Sequence, residues 1–197
     1  LINPTAPLTI GVYSDVVDPG FSFYNRGSIQ QSAANTGAST MAMWIIGNSA
    51  NQTTLTGGIF NSGSIAAQAT TTGTTAAANS AFGLYVDKYV TLGANSSGKV
   101  AASGNLPGDQ AALVNSNATG AGTISAAVSG TRGGTANALY IGANSSLSSI
   151  INTGTIFATA STTDLTIVNP VQAFAIVDNS GSVTSIYNSG SITAQAS

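Results

Sequence analysis

Carboxyl groups are the residues of this sequence whose chemistry is easiest to assign, and there are few of them. The 197-residue chain has six acidic residues, all of them aspartates, and it has no histidine. This composition excludes a Ser-His-Asp triad, a histidine-bound metal and a glutamate general acid. Asp15 and Asp18 are the closest pair, and paired carboxylates can run inverting glycoside hydrolysis. They precede Pro19 and Gly20, where aspartate is a common turn residue, so we expect no catalytic residue.

The other charged residues are few and dispersed, which indicates solvated loop charges. They include Asp87, Lys88, Lys99, Asp109 and Arg132. With a net charge of -2 and four basic residues, the chain offers no electrostatic footprint for nucleic acid or anionic lipid. The calcium-binding nonapeptide Gly-Gly-x-Gly-x-Asp is absent, so the sequence implies no metal and no other cofactor. No apolar run is long enough to insert this segment into a membrane.

Four aromatic residues are candidates for contacts at the surface. They are Trp44, Tyr85, Tyr140 and Tyr187, and each is expected to face outward from its predicted strand. Aromatic rings can stack on sugars or pack against a protein partner. Singly exposed aromatic residues are common, so a binding role requires that these four align into a patch.

A repeated unit determines where all of these residues must lie. Residues 186–196 read Ile-Tyr-Asn-Ser-Gly-Ser-Ile-Thr-Ala-Gln-Ala, and related stretches begin at positions 23, 59 and 150. Ile192, Ala194 and Ala196 alternate with polar residues, which predicts a strand with one face inward. The preceding Asn-x-Gly predicts a corner, because Asn favours turns and Gly accepts positive φ. The unit is therefore strand, corner, strand.

Equivalent positions in the copies define the expected corner and core. If the copies stack, the corner asparagines can hydrogen-bond to one another, and we favour this ladder over simple turns because the whole apolar context recurs with each Asn. The corner residues are Asn25, Asn61, Asn115, Asn152 and Asn188, with Gly27, Gly63, Gly154 and Gly190. The expected inward residues are Ile29, Ile65, Ile124, Ile156 and Ile192.

The spacing of the asparagines leaves two coil lengths open. Asn25 and Asn61 are 36 residues apart, as are Asn152 and Asn188, and weaker positions fall between strong ones, such as Asn79, 18 residues after Asn61. We favour two alternating coils of about 18–20 residues per 36-residue repeat over one wide coil. The predicted fold class is all-β, a single-stranded β-solenoid, with a narrow interior because the residues after each inward Ile are small.

The repeats predict one domain over residues 1–197. Residues 1–40 are the least regular copy and are expected to be a drifted first repeat or a cap. Residues 95–112 are the least repetitive part and are expected to be an inserted loop that projects outward. The start of the chain has no initiator Met, which suggests a mature or excised piece of a longer polypeptide.

Three stretches, residues 138–144, 151–156 and 175–181, resemble passenger regions of bacterial autotransporters. Such passengers are typically right-handed parallel β-helices on the bacterial cell surface or secreted from it. The resemblance covers most of residues 40–197 and rests on degenerate repeats, so it concerns fold and export route more than activity. The signal peptide and membrane barrel of the family are missing, so the resemblance implies an internal or cleaved fragment.

These observations predict a protein that is not an enzyme. The expected role is structural or adhesive: an extracellular stalk, an adhesin passenger, or a self-stacking filament of a biofilm matrix. The expected partners are further copies by end-to-end stacking, the remainder of a longer chain, and host or matrix glycans or proteins. The alternative is a β-helix that binds or cleaves polysaccharides.

Overall fold

The described part of the chain consists of β-strands joined by turns. The computed structural model describes residues 1–13, 20–34, 37, 39–72, 79–94, 111–116, 122–163 and 170–197. These residues form eighteen strands in four parallel sheets, with no helix among them. The prediction of an all-β fold built from stacked parallel strands is confirmed.

Each sheet collects one strand from successive repeats. Sheet 1 contains β1 (Leu8–Ile10), β5 (Thr53–Leu55), β9 (Val90–Leu92) and β13 (Ser146–Leu147). Sheet 2 contains β2 (Phe23–Asn25), β6 (Ile59–Asn61), β10 (Leu113–Asn115), β14 (Ser149–Asn152) and β17 (Ser185–Asn188). Sheet 3 contains β3 (Ser28–Ala34), β7 (Ser64–Thr71), β11 (Thr123–Gly130), β15 (Thr155–Ala160) and β18 (Ser191–Ala196). Sheet 4 contains β4 (Thr40–Ile45), β8 (Asn79–Val86), β12 (Gly134–Ile141) and β16 (Val171–Asp178).

The prediction of coils of about 18–20 residues is wrong. The asparagines of neighbouring strands in sheet 2 are 36, 54, 37 and 36 residues apart. Asn79, which suggested the shorter period, begins β8 in sheet 4 and pairs with Gly134. One pass through the sheets therefore uses a whole sequence repeat, because the two halves of a repeat supply strands to different sheets.

The structure describes most of the irregular first segment, residues 1–40, but little of the second, residues 95–112. Residues 1–40 contain β1, β2 and β3, which pair in parallel with β5, β6 and β7 of the following repeat. Of the expected inserted loop, residues 95–110 lie outside the described residues, whereas Ala111 and Ala112 are completely buried.

The core lies between the sheets and is filled by the inward residues of every strand except β17, whose residues are exposed. Ile65, Ile124 and Ile156 are completely buried and pair in register across sheet 3. Ile29 and Ile192, at the two edges of that sheet, are partly buried against the same core. Burying one such side chain stabilises the folded chain by about 1.5–3 kcal/mol. The alternation of Ile with small residues therefore supplies both the strand pattern and the narrow interior.

Candidate functional site

The corner asparagines form a continuous column along sheet 2. The Nδ2 of Asn25 donates to Oδ1 of Asn61 at 2.8 Å, and Asn61 donates to Asn115 at 2.7 Å. Asn115 donates to Asn152, and Asn152 to Asn188, each at 2.7 Å. All four hydrogen bonds run in the same direction. Asn25 therefore donates to the ladder without accepting from it, and Asn188 accepts from the ladder without donating to it.

The four asparagines that donate in the ladder also donate to backbone carbonyl oxygens. The Nδ2 of Asn115 lies 3.1 Å from the carbonyl oxygens of Gly122 and Thr155. The side chains of Asn61, Asn115 and Asn152 are completely buried, whereas Asn188 is exposed. A buried amide is stable only when its polar atoms are paired, and the ladder provides these partners inside the stack.

Three of the corner glycines, Gly63, Gly154 and Gly190, are required for close approach of the backbone rather than for positive φ. A Cβ at Gly63 would lie 2.0 Å from the carbonyl oxygen of Gly27, and one at Gly190 would lie 2.0 Å from that of Gly154. None of the four corner glycines has a positive φ. The expectation that they supply left-handed corners is therefore wrong. At Gly27 itself a Cβ would meet no atom within 4 Å.

Three of the four candidate aromatic residues come together on the outer face of sheet 4. Trp44, Tyr85 and Tyr140 occupy one register position in β4, β8 and β12. The rings of Trp44 and Tyr85 are stacked with centroids 6.0 Å apart, and Tyr140 meets Tyr85 edge-on at 4.9 Å. Phe82 joins them, 4.8 Å from Tyr85. Tyr187 lies in sheet 2 and is 42% exposed, so it is not part of this cluster.

Asp87 anchors this aromatic cluster, and its interpretation as a solvated loop charge is wrong. It is only 7% exposed, and it accepts hydrogen bonds from Trp44 Nε1 at 3.2 Å and from the Lys88 amide at 2.8 Å. Burial, the charge of Asp87, the neighbouring Tyr140 and a hydrogen bond to Asp87 raise the pKa of Tyr85 to about 12. Trp44 and Asp87 are 43 residues apart, so no local pattern reveals their contact.

A second apolar cluster covers the outer face of sheet 2. Its members are Phe21, Tyr24, Phe60, Ala111, Val114 and Ile151. Phe60 is completely buried although its parity turns it away from the core, and the Arg26 guanidinium lies 5.7 Å from its ring centroid. The sequence pattern gives no signal that Phe21 would cover Phe60.

The outer face of sheet 3 contains a groove of about 520 Å³. Small side chains from two central strands form its floor, and larger ones from the flanking strands and Gln68 border it. The lining includes Gln30, Ala66, Gln68, Ser125, Ala127 and Phe157. No ionisable residue lines the groove. The sequence reasoning missed this feature, because it appears only when outward residues of four repeats are compared in register.

Asp178 closes the turn that follows sheet 4. Its carboxylate accepts hydrogen bonds from the amides of Ser180, Gly181 and Val183 at 2.9–3.1 Å, and from the Ser180 hydroxyl. Burial alone would raise its pKa, but these hydrogen bonds outweigh burial and hold the pKa below its ordinary value. The role of this carboxylate is structural.

Within the described residues, the structure does not bring the remaining candidate acids and bases together. Asp15, Asp18, Lys99 and Asp109 lie outside the described residues. Within the described ranges, no group of three or more His, Cys, Asp or Glu side chains could hold a metal ion. The same ranges contain no helix long and apolar enough to cross a membrane.

Comparison with known proteins returns no relative for this chain. No family model, curated protein or solved structure matches it significantly.

Proposed function

We propose that the four sheets close into a right-handed β-solenoid with one wide coil per sequence repeat, which is 36 or 37 residues long except for the 54 residues between Asn61 and Asn115. The order of the sheets supports this, since the chain meets sheets 1, 2, 3 and 4 in the same sequence in successive repeats. Parallel pairing in every sheet supports it as well. An experimental structure tests the proposal, and a left-handed path or an open arrangement of the sheets would contradict it.

The function that this architecture supports best is structural or adhesive. We assign the chain to an extracellular, non-catalytic element of a bacterial surface, a stalk, adhesin passenger or matrix filament, as the resemblance to autotransporter passengers implies. The observation that carries the proposal is the asparagine ladder of four consecutive hydrogen bonds through the stack. Such a ladder locks each repeat to the next, which suits a rigid spacer.

The proposal includes continuation of the stack beyond the last strands, by more of a longer polypeptide or by a second copy. β16, β17 and β18 are paired on one side only, and they present Ile186 at 47% and Tyr187 at 42% exposure. Open strand edges and an uncovered apolar layer favour the addition of further strands. Head-to-tail addition need not close, so it yields filaments.

Light scattering over a wide concentration range, with negative-stain microscopy, tests this association. We expect growing linear assemblies, and we expect Ile186→Lys to suppress them, because a charge on the open edge opposes strand addition. Thr91→Lys adds the same charge at an exposed site in β9, an inner strand of sheet 1, and should leave assembly unchanged. A stable monomer at high concentration would contradict the self-stacking role. Turnover of any polysaccharide in a panel of plant and microbial substrates would contradict the non-catalytic role.

A further inference from the structure

We propose that the groove on the outer face of sheet 3 binds an uncharged oligosaccharide. This inference specifies the adhesive part of the proposed function by naming the chemical class of the ligand. It concerns the surface formed by β3, β7, β11 and β15, which is separate from the open strand edges and from the aromatic cluster of sheet 4.

The shape of the groove follows from the register of the four strands. Gln30, Ala66, Ser125 and Phe157 occupy the same outward position in successive strands. Ala66 and Ser125 are small, so the sheet is depressed between the longer side chains of Gln30 and Phe157. Ala127 continues the floor beside Gln68. With about 4.8 Å between neighbouring strands, the depression extends roughly 14 Å across four strands, enough for a few linked sugar rings.

Ser125 indicates that the groove is built to receive a polar ligand. It is only 7% exposed, it lines the groove, and its hydroxyl has no hydrogen-bond partner in the described part of the chain. The hydroxyl oxygen is not one of the fully buried, unpaired side-chain atoms of the described ranges, so it opens into the groove. A hydroxyl left unpaired in a groove of about 520 Å³ is therefore suited to a ligand that both donates and accepts hydrogen bonds.

The chemistry of the lining selects a neutral carbohydrate. Gln30 and Gln68 supply amide groups that donate and accept, as sugar hydroxyls require. The partly exposed ring of Phe157 provides an apolar face against which a sugar ring can pack. No lining residue is ionisable, so nothing compensates the charge of a phosphate, a uronic acid or a basic peptide.

Titration calorimetry of the 197-residue protein tests the proposal. The probes are short malto-, cello-, xylo-, manno- and chitooligosaccharides at millimolar concentration, with oligogalacturonate as a charged comparison. We expect saturable binding of at least one neutral series and none of oligogalacturonate. No binding of the neutral series by folded protein, or preferential binding of the charged one, would overturn the proposal.

Three variants locate the site. Phe157→Ala should weaken binding about tenfold, a loss of about 1.4 kcal/mol, and Ala127→Phe should abolish it by filling the groove. Phe174→Ala is the matched control, since Phe174 is 40% exposed but lies in sheet 4. Circular dichroism confirms folding of each variant. Equal binding by all three variants would overturn the proposal.

The outcomes separate this inference from the proposed function. A folded protein that assembles end to end but binds no neutral oligosaccharide overturns only the groove assignment. A protein that binds through the groove and also shortens the bound oligosaccharide supports the groove assignment and contradicts the non-catalytic role.

Discussion

Removal of Asn115 is the most direct perturbation of the asparagine ladder. Asn115 is completely buried, accepts a hydrogen bond from Asn61 and donates one to Asn152. In Asn115→Ala, the amide of Asn61 still has the carbonyl oxygen of Thr123 at 3.1 Å. The Oδ1 of Asn152 loses the amide that donates to it inside the stack.

The cost of this substitution can be worked from these contacts. Two lost ladder hydrogen bonds cost about 1 kcal/mol each, and one buried acceptor left unsatisfied costs about 1–3 kcal/mol more. We therefore expect the free energy of unfolding to fall by about 3–5 kcal/mol. For a chain of this length the melting temperature should fall by roughly 10 °C.

Asn188→Ala is the matched control, because Asn188 is exposed and its ladder contact is the one bond accepted from Asn152. It should cost no more than about 1 kcal/mol. Urea unfolding followed by circular dichroism and by the fluorescence of Trp44, the one tryptophan of the chain, gives both values. Agreement of the two probes checks that unfolding is cooperative.

The double variant Asn115→Ala with Asn152→Ala tests the physical reason. It removes the orphaned acceptor of the single variant, so its cost should be less than the sum of the two single costs. The reasoning is refuted if Asn115→Ala costs no more than Asn188→Ala. It is also refuted if the double variant is strictly additive.

Three further predictions concern single positions. Gly63→Ala should lower the free energy of unfolding by more than about 3 kcal/mol in urea, because its Cβ would lie 2.0 Å from a backbone oxygen. Gly27→Ala should be nearly neutral, because a Cβ there meets open space. Equal losses of stability in the two variants would contradict the close-packing argument. Ultraviolet titration should show one tyrosine ionising near pH 12. The free energy of unfolding should fall between pH 10 and 12, because folded Tyr85 keeps a proton that the unfolded chain loses. Tyr85→Phe should remove this fall in the free energy of unfolding. Because the pKa of Asp178 is lowered in the folded chain, its carboxylate stabilises the fold at pH values above its ordinary pKa, and this stabilisation is lost as the pH falls through the folded pKa. Asp178→Asn should therefore reduce the free energy of unfolding at pH 7 and weaken its dependence on pH in acid, as measured by urea unfolding. An unchanged pH dependence in acid would contradict this.

The sequence was sufficient for the strand pattern because parity is a local property. Ile65 and Ile156 each lie four residues after the asparagine of an Asn-x-Gly corner, Ile124 lies two residues after Gly122, and all three are buried in register. The coil length was wrong because a half-repeat has nearly the same pattern as a whole one. Only the pairing partners distinguish them, and Asn79 pairs in a different sheet from Asn61.

The contacts on the outer faces could not be predicted for a different reason. Asp87 reaches Trp44 across 43 residues, and Phe21 covers Phe60 from outside its own sheet. Such pairs depend on which outward positions become neighbours, and that requires the coil length. The glycines were assigned correctly as corner residues but for the wrong cause, since the separation of stacked backbones, and not φ, excludes a Cβ at Gly63.

Two adjacent columns of sheet 3 explain how one fold can form a groove on its outer face without losing its structure. The inward column consists of Ile29, Ile65, Ile124, Ile156 and Ile192. The outward column beside it consists of Gln30, Ala66, Ser125, Phe157 and Thr193. The inward position is uniform because every coil packs into the same narrow core, whereas the outward position differs in every strand. Since packing and the neutral asparagine ladder hold the stack together from within, the outer side chains are free to differ, and a groove arises where small ones meet larger neighbours.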